Sequence, residues 1–189
     1  CALYDVMGKY LDIPVHQLLG QKKRNVIPVA AWTRPASPEQ FRLEIQRAAA
    51  QGYRVFKIHT CSHHDVFEQT RLATEVAPDN FRIHYDLNHN RSIGTVLPII
   101  KELERNYPIV GYIEDPLLKN DIDGWKQLRR QINLPLIMHG TPLGGVQEIM
   151  HGMADIYMLT GNMEETMATG WACGKANIQC LLQFEGGTI

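Results

Sequence analysis

The sequence of 189 residues predicts an α/β fold, a (β/α)8 TIM-type barrel that is incomplete and has about seven strands. Three observations predict it. Short apolar runs recur about every 20–29 residues and alternate with amphipathic segments, the pattern of a parallel sheet covered by helices. The first run leads into TRPASPEQ (33–40), without the glycine-rich turn expected of an open nucleotide-binding sheet. Polar side chains sit at the ends of several runs: Lys57 and His59, Asp86 and Asn88, Glu114, and His139. Barrels collect such residues at the C-terminal ends of their strands.

The elements follow in order. Ala2, Leu3, Val6, Met7, Tyr10 and Leu11 trace a helical stripe at the start. IPVAAW (27–32) reads as the first strand. Ser37-Pro38-Glu39 is a helix start with proline at the first helical position, and the helix runs to Gln51 before Gly52. Strands are then expected at 53–60, 81–89, 109–117, 134–141, 154–160 and 178–184. Helices are expected between them at 64–77, 92–106 (with Pro98 inside), 122–132, 145–152 and 163–176. A full barrel needs eight units, so the chain reads as an interior piece of a longer protein.

Composition bounds the function. Nineteen basic against twenty acidic residues give a net charge of −1, which argues against a nucleic-acid partner because phosphate neutralisation needs a basic face. No apolar run reaches the ~18 residues of a membrane span, and no signal peptide is visible, so a cytoplasmic location is expected. Cys1, Cys61, Cys173 and Cys180 form no CxxC pair and read as reduced thiols. Cys61, just past a strand, is the one thiol with functional potential.

Side chains two apart on a strand share a face, so Lys57 pairs with His59, and His84 with Asp86 and Asn88. Two carboxylates facing a lysine and an imidazole make either an ion-pair network or a metal-and-base site; carboxylate oxygens with waters suit Mg²⁺. His84 reads as a residue of the barrel interior. Trp32, at the end of the first strand, is a packing residue or a substrate wall.

These residues fall in motifs that resemble the enolase superfamily, in its mandelate racemase and muconate lactonizing branch. GYRVFKIHT resembles a second-strand GFxxxKxK motif, IHYDLNH a third-strand DxN motif and GYIEDPL a fourth-strand EDP motif, with Asp86 and Glu114 28 residues apart. The resemblance implies a barrel that follows an N-terminal α+β capping domain, absent from this sequence, with residues 1–25 as a linker helix from that domain and 26–189 as a partial barrel. It implies that a divalent metal, usually Mg²⁺, holds a substrate carboxylate while a base takes the proton from the neighbouring carbon. Asp86 and Glu114 match metal ligands, Asn88 the asparagine beside them, Lys57 the first lysine of KxK, and His59 the base. A histidine suits that role, with an unperturbed pKa of ~6.5.

The chain departs from the pattern at two places. Gly140 stands where the third acidic ligand is expected. His139 is adjacent but of opposite parity, so it could ligate only through a register shift or bulge, and it would favour Mn²⁺, Fe²⁺ or Zn²⁺ over Mg²⁺. At the far side, Thr160 ends the sixth strand, and only Gln183 and Glu185 lie near the end of the seventh. One base favours dehydration or isomerisation of an acid sugar or related hydroxy acid over two-base racemisation. The resemblance also implies a small-molecule carboxylate substrate and a homo-oligomer. Two other readings stay open: a non-catalytic or altered-metal relative that keeps the barrel, and a Schiff-base aldolase using Lys57.

Overall fold

A computed structural model describes residues 1–61 and 63–183. Two short helices, α1 (Ala2–Leu11) and α2 (Val15–Leu19), precede seven strands: β1 (Ala31–Thr33), β2 (Val55–His59), β3 (Arg82–Asp86), β4 (Val110–Glu114), β5 (Leu136–His139), β6 (Ile156–Leu159) and β7 (Gln179–Leu182). The helices between them are α3 (Pro38–Ala50), α4 (Val66–Thr74), α5 (Ile93–Asn106), α6 (Ile122–Arg129), α7 (Val146–His151) and α8 (Met163–Lys175). All seven strands are parallel and lie in the order β1-β2-β3-β4-β5-β6-β7. A doubly wound sheet would reverse its order at a switch point. Unbroken sequential order is that of a barrel wall, so the predicted partial barrel is observed.

Helix starts are set by the polar residues that precede them. The Ser37 hydroxyl accepts the Gln40 N–H, and the Asp65 carboxylate accepts from Phe67 and Glu68. Asp121 accepts from Gly124, and Asn162 closes a reciprocal box with Glu165. Each cap satisfies amide donors that the helix itself leaves unpaired.

Strand alternation divides the sheet into two faces. The outer face (Phe56, Ile58, Ile83, Tyr85, Ile113, Leu136, Met138 and Tyr157) is buried against the helices, where Phe41, Ile45, Val96, Ile100, Trp125 and Leu128 complete the core. The inner face carries Lys57, His59, His84, Asp86, Tyr112 and Glu114, and farther round a small apolar cluster of Ile137, Ile156 and Met158 against Tyr112. The sheet's margins are less covered: β1 is short and partly exposed, and all four residues of β7 are exposed. The expected strand over 178–184 is seen at Gln179–Leu182; residues 184–189, including Glu185, lie outside the described residues.

One irregularity positions the site. The β3–β4 pairing steps from Ile83↔Val110 to His84↔Tyr112, so Gly111 is the extra residue of a bulge. A Cβ at Gly111 would stand 2.8 Å from Arg82 Cβ, a contact only glycine avoids. Because a strand's faces alternate, a one-residue step moves every later side chain to the other face. The bulge therefore sets Glu114 directly opposite Asp86, both on the inner face.

Candidate active site at the C-terminal ends of β2–β5

Lys57 is the centre of the site. Its Nζ lies 3.0 Å from Asp86 Oδ2 and 2.8 Å from each Glu114 oxygen. The two carboxylates thus stand within two hydrogen-bond lengths of each other, both almost wholly buried. Buried acids are stable only when paired, and the ammonium group pairs with both.

Imidazoles complete the shell. His84 Nε2 lies 2.6 Å from Glu114 Oε2, the oxygen that also faces Lys57. His139 Nδ1 is 3.5 Å from Glu114 Oε1. Burial alone would push the Glu114 carboxyl up, but His84 and Lys57 outweigh it and hold the group down at about 2. Burial also holds His139 below the ordinary histidine range, against the pull of Glu114, which favours the neutral imidazole with one nitrogen lone pair available as ligand or base.

His59 occupies the outer part of the mouth. Its Nδ1 is 2.8 Å from Asn88 Oδ1, and its Nε2 is 3.5 Å from Asp86 Oδ2. Since a carbonyl oxygen only accepts, the bond to Asn88 assigns the proton to Nδ1 and leaves the lone pair on Nε2. Asn88 takes a left-handed backbone (φ 54), stabilised by its own N–H bonding Asp86 Oδ1 at 2.8 Å. Trp32 stands edge-on to His59 at 6.1 Å and is more than half exposed, a wall of the mouth and not part of the packed core. It is level with Lys57 across the β1–β2 pair.

The fifth strand differs from expectation. His139 needs neither a register shift nor a bulge to face the site. It lies two residues after inward-facing Ile137, which pairs with Glu114 in regular register, so the two side chains share the inner face. Gly140 is the residue that leaves the strand, with a left-handed φ of +72. A side chain there would start 3.3 Å from Thr160 Cγ2 and 4.0 Å from Lys119 Nζ.

Asp115 is a buried acid whose role the sequence did not reveal. It too has a positive φ (45). Its Oδ1 accepts the His139 N–H at 3.0 Å, and its Oδ2 lies 3.3 Å from His89 Nδ1 and 3.5 Å from Lys119 Nζ. Burial pushes its carboxyl up, only partly offset by the His139 amide and Lys119. Ligand atoms of Glu114, Asp115 and His139 all lie within 4.8 Å of one another, the one such group among the described residues. Asp86 is not in that group; its carboxylate pairs with Lys57 and accepts the Asn88 N–H. Two acids and an imidazole are a donor set that fits a divalent cation, and the nitrogen favours a transition metal over Mg²⁺.

Residues 40–181 match the family model described as "Enolase C-terminal domain-like". The chain belongs to that family. Among curated relatives, it is 28% identical over 145 residues to the D-galactonate dehydratase of Pectobacterium atrosepticum, a match covering 71% of this chain and 37% of the relative. It is 29% identical over 140 residues to the N-succinyl-L-Arg/Lys racemase of Bacillus cereus, covering 72% and 37%. The solved N-succinyl Arg/Lys racemase of Bacillus cereus superposes with a TM-score of 0.82 at 26% identity, covering 94% of this chain and 50% of that one. A dipeptide epimerase from Enterococcus faecalis, complexed with Mg and L-Leu-L-Tyr, shares the fold with a TM-score of 0.82 at 20% identity, covering 95% and 52%. The matched segment covers 37% of each of these curated relatives, and the chain spans about half the length of the solved structures it matches.

In this enolase-like chain the sequence-predicted residues Lys57, His59, Asp86, Asn88, Glu114 and His139 come together around one mouth, with Trp32 at its rim. The signal that would have found Asp115 and Lys119 is the acid inside the EDP motif followed four residues later by a lysine. Among the described residues no helix is long and apolar enough to cross a membrane.

Proposed function

We propose that this chain carries the proton-abstracting half of an enolase-type enzyme, acting on the carbon next to a substrate carboxylate held by a divalent cation. The single observation that carries this reading is the bridge from Lys57 to both Asp86 and Glu114, with His59 beside it. The reaction proposed is dehydration or isomerisation of an acid sugar or related hydroxy acid. Galactonate dehydratases among the relatives support that class, while the racemase and epimerases support the shared proton step alone.

Asp86, Glu114 and His139 would hold the cation, Mg²⁺ or a transition metal. The proximity of Asp115 to Glu114 and His139 favours a second assignment with Asp115 in place of Asp86. A bound cation would supply positive charge to the substrate carboxylate and to the negative charge that develops there. Lys57 adds a further positive charge at the same place. His59 accepts the proton at Nε2, and Asp86 stands ready to pair with the imidazolium formed. Asn88 fixes the tautomer that makes this possible. Trp32 stands edge-on to His59 as a wall on which the substrate could rest. Thr160 supplies no acid–base group at the end of β6, which favours the one-base reaction proposed.

The test is solvent-deuterium incorporation beside the carboxylate, using D-galactonate, other aldonates and N-succinyl amino acids with Mg²⁺ or Mn²⁺. Incorporation that His59→Gln abolishes supports the reading. No incorporation into any of these acids, with either metal, overturns it. Calorimetric Mn²⁺ titration of Asp86→Asn and Asp115→Asn separates the two ligand sets: the true ligand's variant weakens binding by about tenfold or more.

A further inference from the structure

Outside the barrel mouth lies a second cavity of about 240 Å³, between the ends of β2 and β3 and the starts of α4 and α5. Its floor is apolar, formed by Val66, Phe67, Leu87, Val96 and Ile99. Its polar wall is Thr60, the Cys61–His64 pair (Sγ to Nδ1 3.5 Å) and Arg91. Arg91 is only partly exposed, and burial works against its charge. Its Nη1 donates to the Thr60 hydroxyl at 3.2 Å and to the Leu87 carbonyl at 3.5 Å, both neutral acceptors. No carboxylate pairs with it among the described residues. A guanidinium that is drawn in from water and left without an anion is a receptor for one, since it offers a planar fork of donors matched to a carboxylate.

We propose that this cavity binds the carboxylate of a small acid with a short apolar tail, the carboxylate on Arg91 and the tail on the Leu87–Val96 floor. The volume admits a ligand of only a few heavy atoms, below the ~300 Å³ at which drug-sized pockets begin. Asp65, on the same rim, disfavours a dianion and so favours a carboxylate over a phosphate. The site also touches the reaction centre through the backbone. Thr60, which receives the Arg91 bond, donates both its N–H (2.9 Å) and its hydroxyl (3.2 Å) to the carbonyl of Asp86.

The test uses 2-methylpropanoate and inorganic phosphate as probes on the full chain, read by methyl NMR. The expected result is saturable shifts at Val66, Leu87 and Val96, slowed alkylation of Cys61 by iodoacetamide, and phosphate binding weaker than 2-methylpropanoate. Arg91→Gln weakens binding by about tenfold or more, and Arg91→Lys by less. If Arg91→Gln does not fold, Val66→Phe, which fills the floor, takes its place and abolishes binding. Three results overturn the proposal: no saturable shift at these methyls, shifts confined to the barrel mouth, or undiminished binding by the folded variant. Phosphate binding as tightly as 2-methylpropanoate would also overturn it, because the floor would then contribute nothing.

Discussion

The inner ends of β2–β4 and those of β6–β7 belong to one sheet and share one topology, yet they differ in chemistry. The first region buries a lysine and two carboxylates with His84 packed against them. The second offers Met158, Leu159, Thr160 and the exposed strand β7. Register explains the first. The Gly111 bulge brings Glu114 level with Asp86, and Lys57 then serves both. Among the described residues nothing comparable faces that cluster from β6, so the described part of the mouth is one-sided. The difference teaches that the barrel wall only presents positions, while the charged residues on one arc of it decide where a buried ion cluster forms.

The sharpest way to break this comparison is to remove the charge at its centre. Lys57→Met leaves Asp86 and Glu114 buried without their shared cation, and removing one partner of a buried pair costs about 3–5 kcal/mol. Thr160→Val, on the opposite arc, should change stability by less than about 0.5 kcal/mol, as exposed substitutions do. Urea unfolding of the two variants measures both. Equal losses would mean that the mouth is not one-sided in energy.

Much of this arrangement was legible in the chain. Alternation placed Lys57 with His59 and His84 with Asp86, and the apolar runs located all seven strands, because period-2 burial is a local signal. What was illegible depends on backbone that leaves the pattern. Alternation counted through 110–114 takes no account of the bulge at Gly111. The positive φ values at Asn88, His89, Asp115 and Gly140 turn the strand ends in ways that no periodicity encodes. That is why alternation is silent on Asp115 and gives His139 the wrong parity. Counting parity from Gly140 fails because Gly140 has already left the strand. Residues 1–25 were expected as one linker helix; the described backbone has α1 and α2 broken at Asp12, a left-handed residue.

A second prediction sharpens the comparison within the site, between two neighbouring carboxylates. Glu114 is held low by its cations, so it stabilises the fold above the ordinary carboxylate range. That contribution is lost as pH falls from about 4.5 toward about 2, amounting to about 3 kcal/mol at most. Asp115 is pushed up by burial and so works in the opposite sense: its ionisation costs stability at neutral pH, and protonation relieves that cost as pH falls. Glu114→Gln should therefore flatten the acid limb of the stability curve. Asp115→Asn should steepen it, while asparagine tolerates the left-handed backbone. Denaturant unfolding between pH 2 and 6 reads both slopes, and slopes that change in the same direction would refute the assignment.

The smallest effect concerns the edge between the two regions, at Gly140. Restoring an acid there would look like the direct way to complete a three-carboxylate site. The backbone opposes it: a non-glycine residue at φ +72 costs roughly 1–2 kcal/mol, and its Cβ would press on Thr160 Cγ2 at 3.3 Å. Gly140→Ala measures that strain alone and should lower stability by about that amount. Gly140→Glu should lose no more than Gly140→Ala, because its carboxylate gains the Lys119 ammonium, 4.0 Å from the Cβ position. An acid held by Lys119 is drawn away from Glu114 and His139, so Gly140→Glu should leave Mn²⁺ affinity within about threefold of the parent. A tenfold or greater gain would show that the turn relaxes and that the β5 end, despite its glycine, retains the geometry of a ligand position.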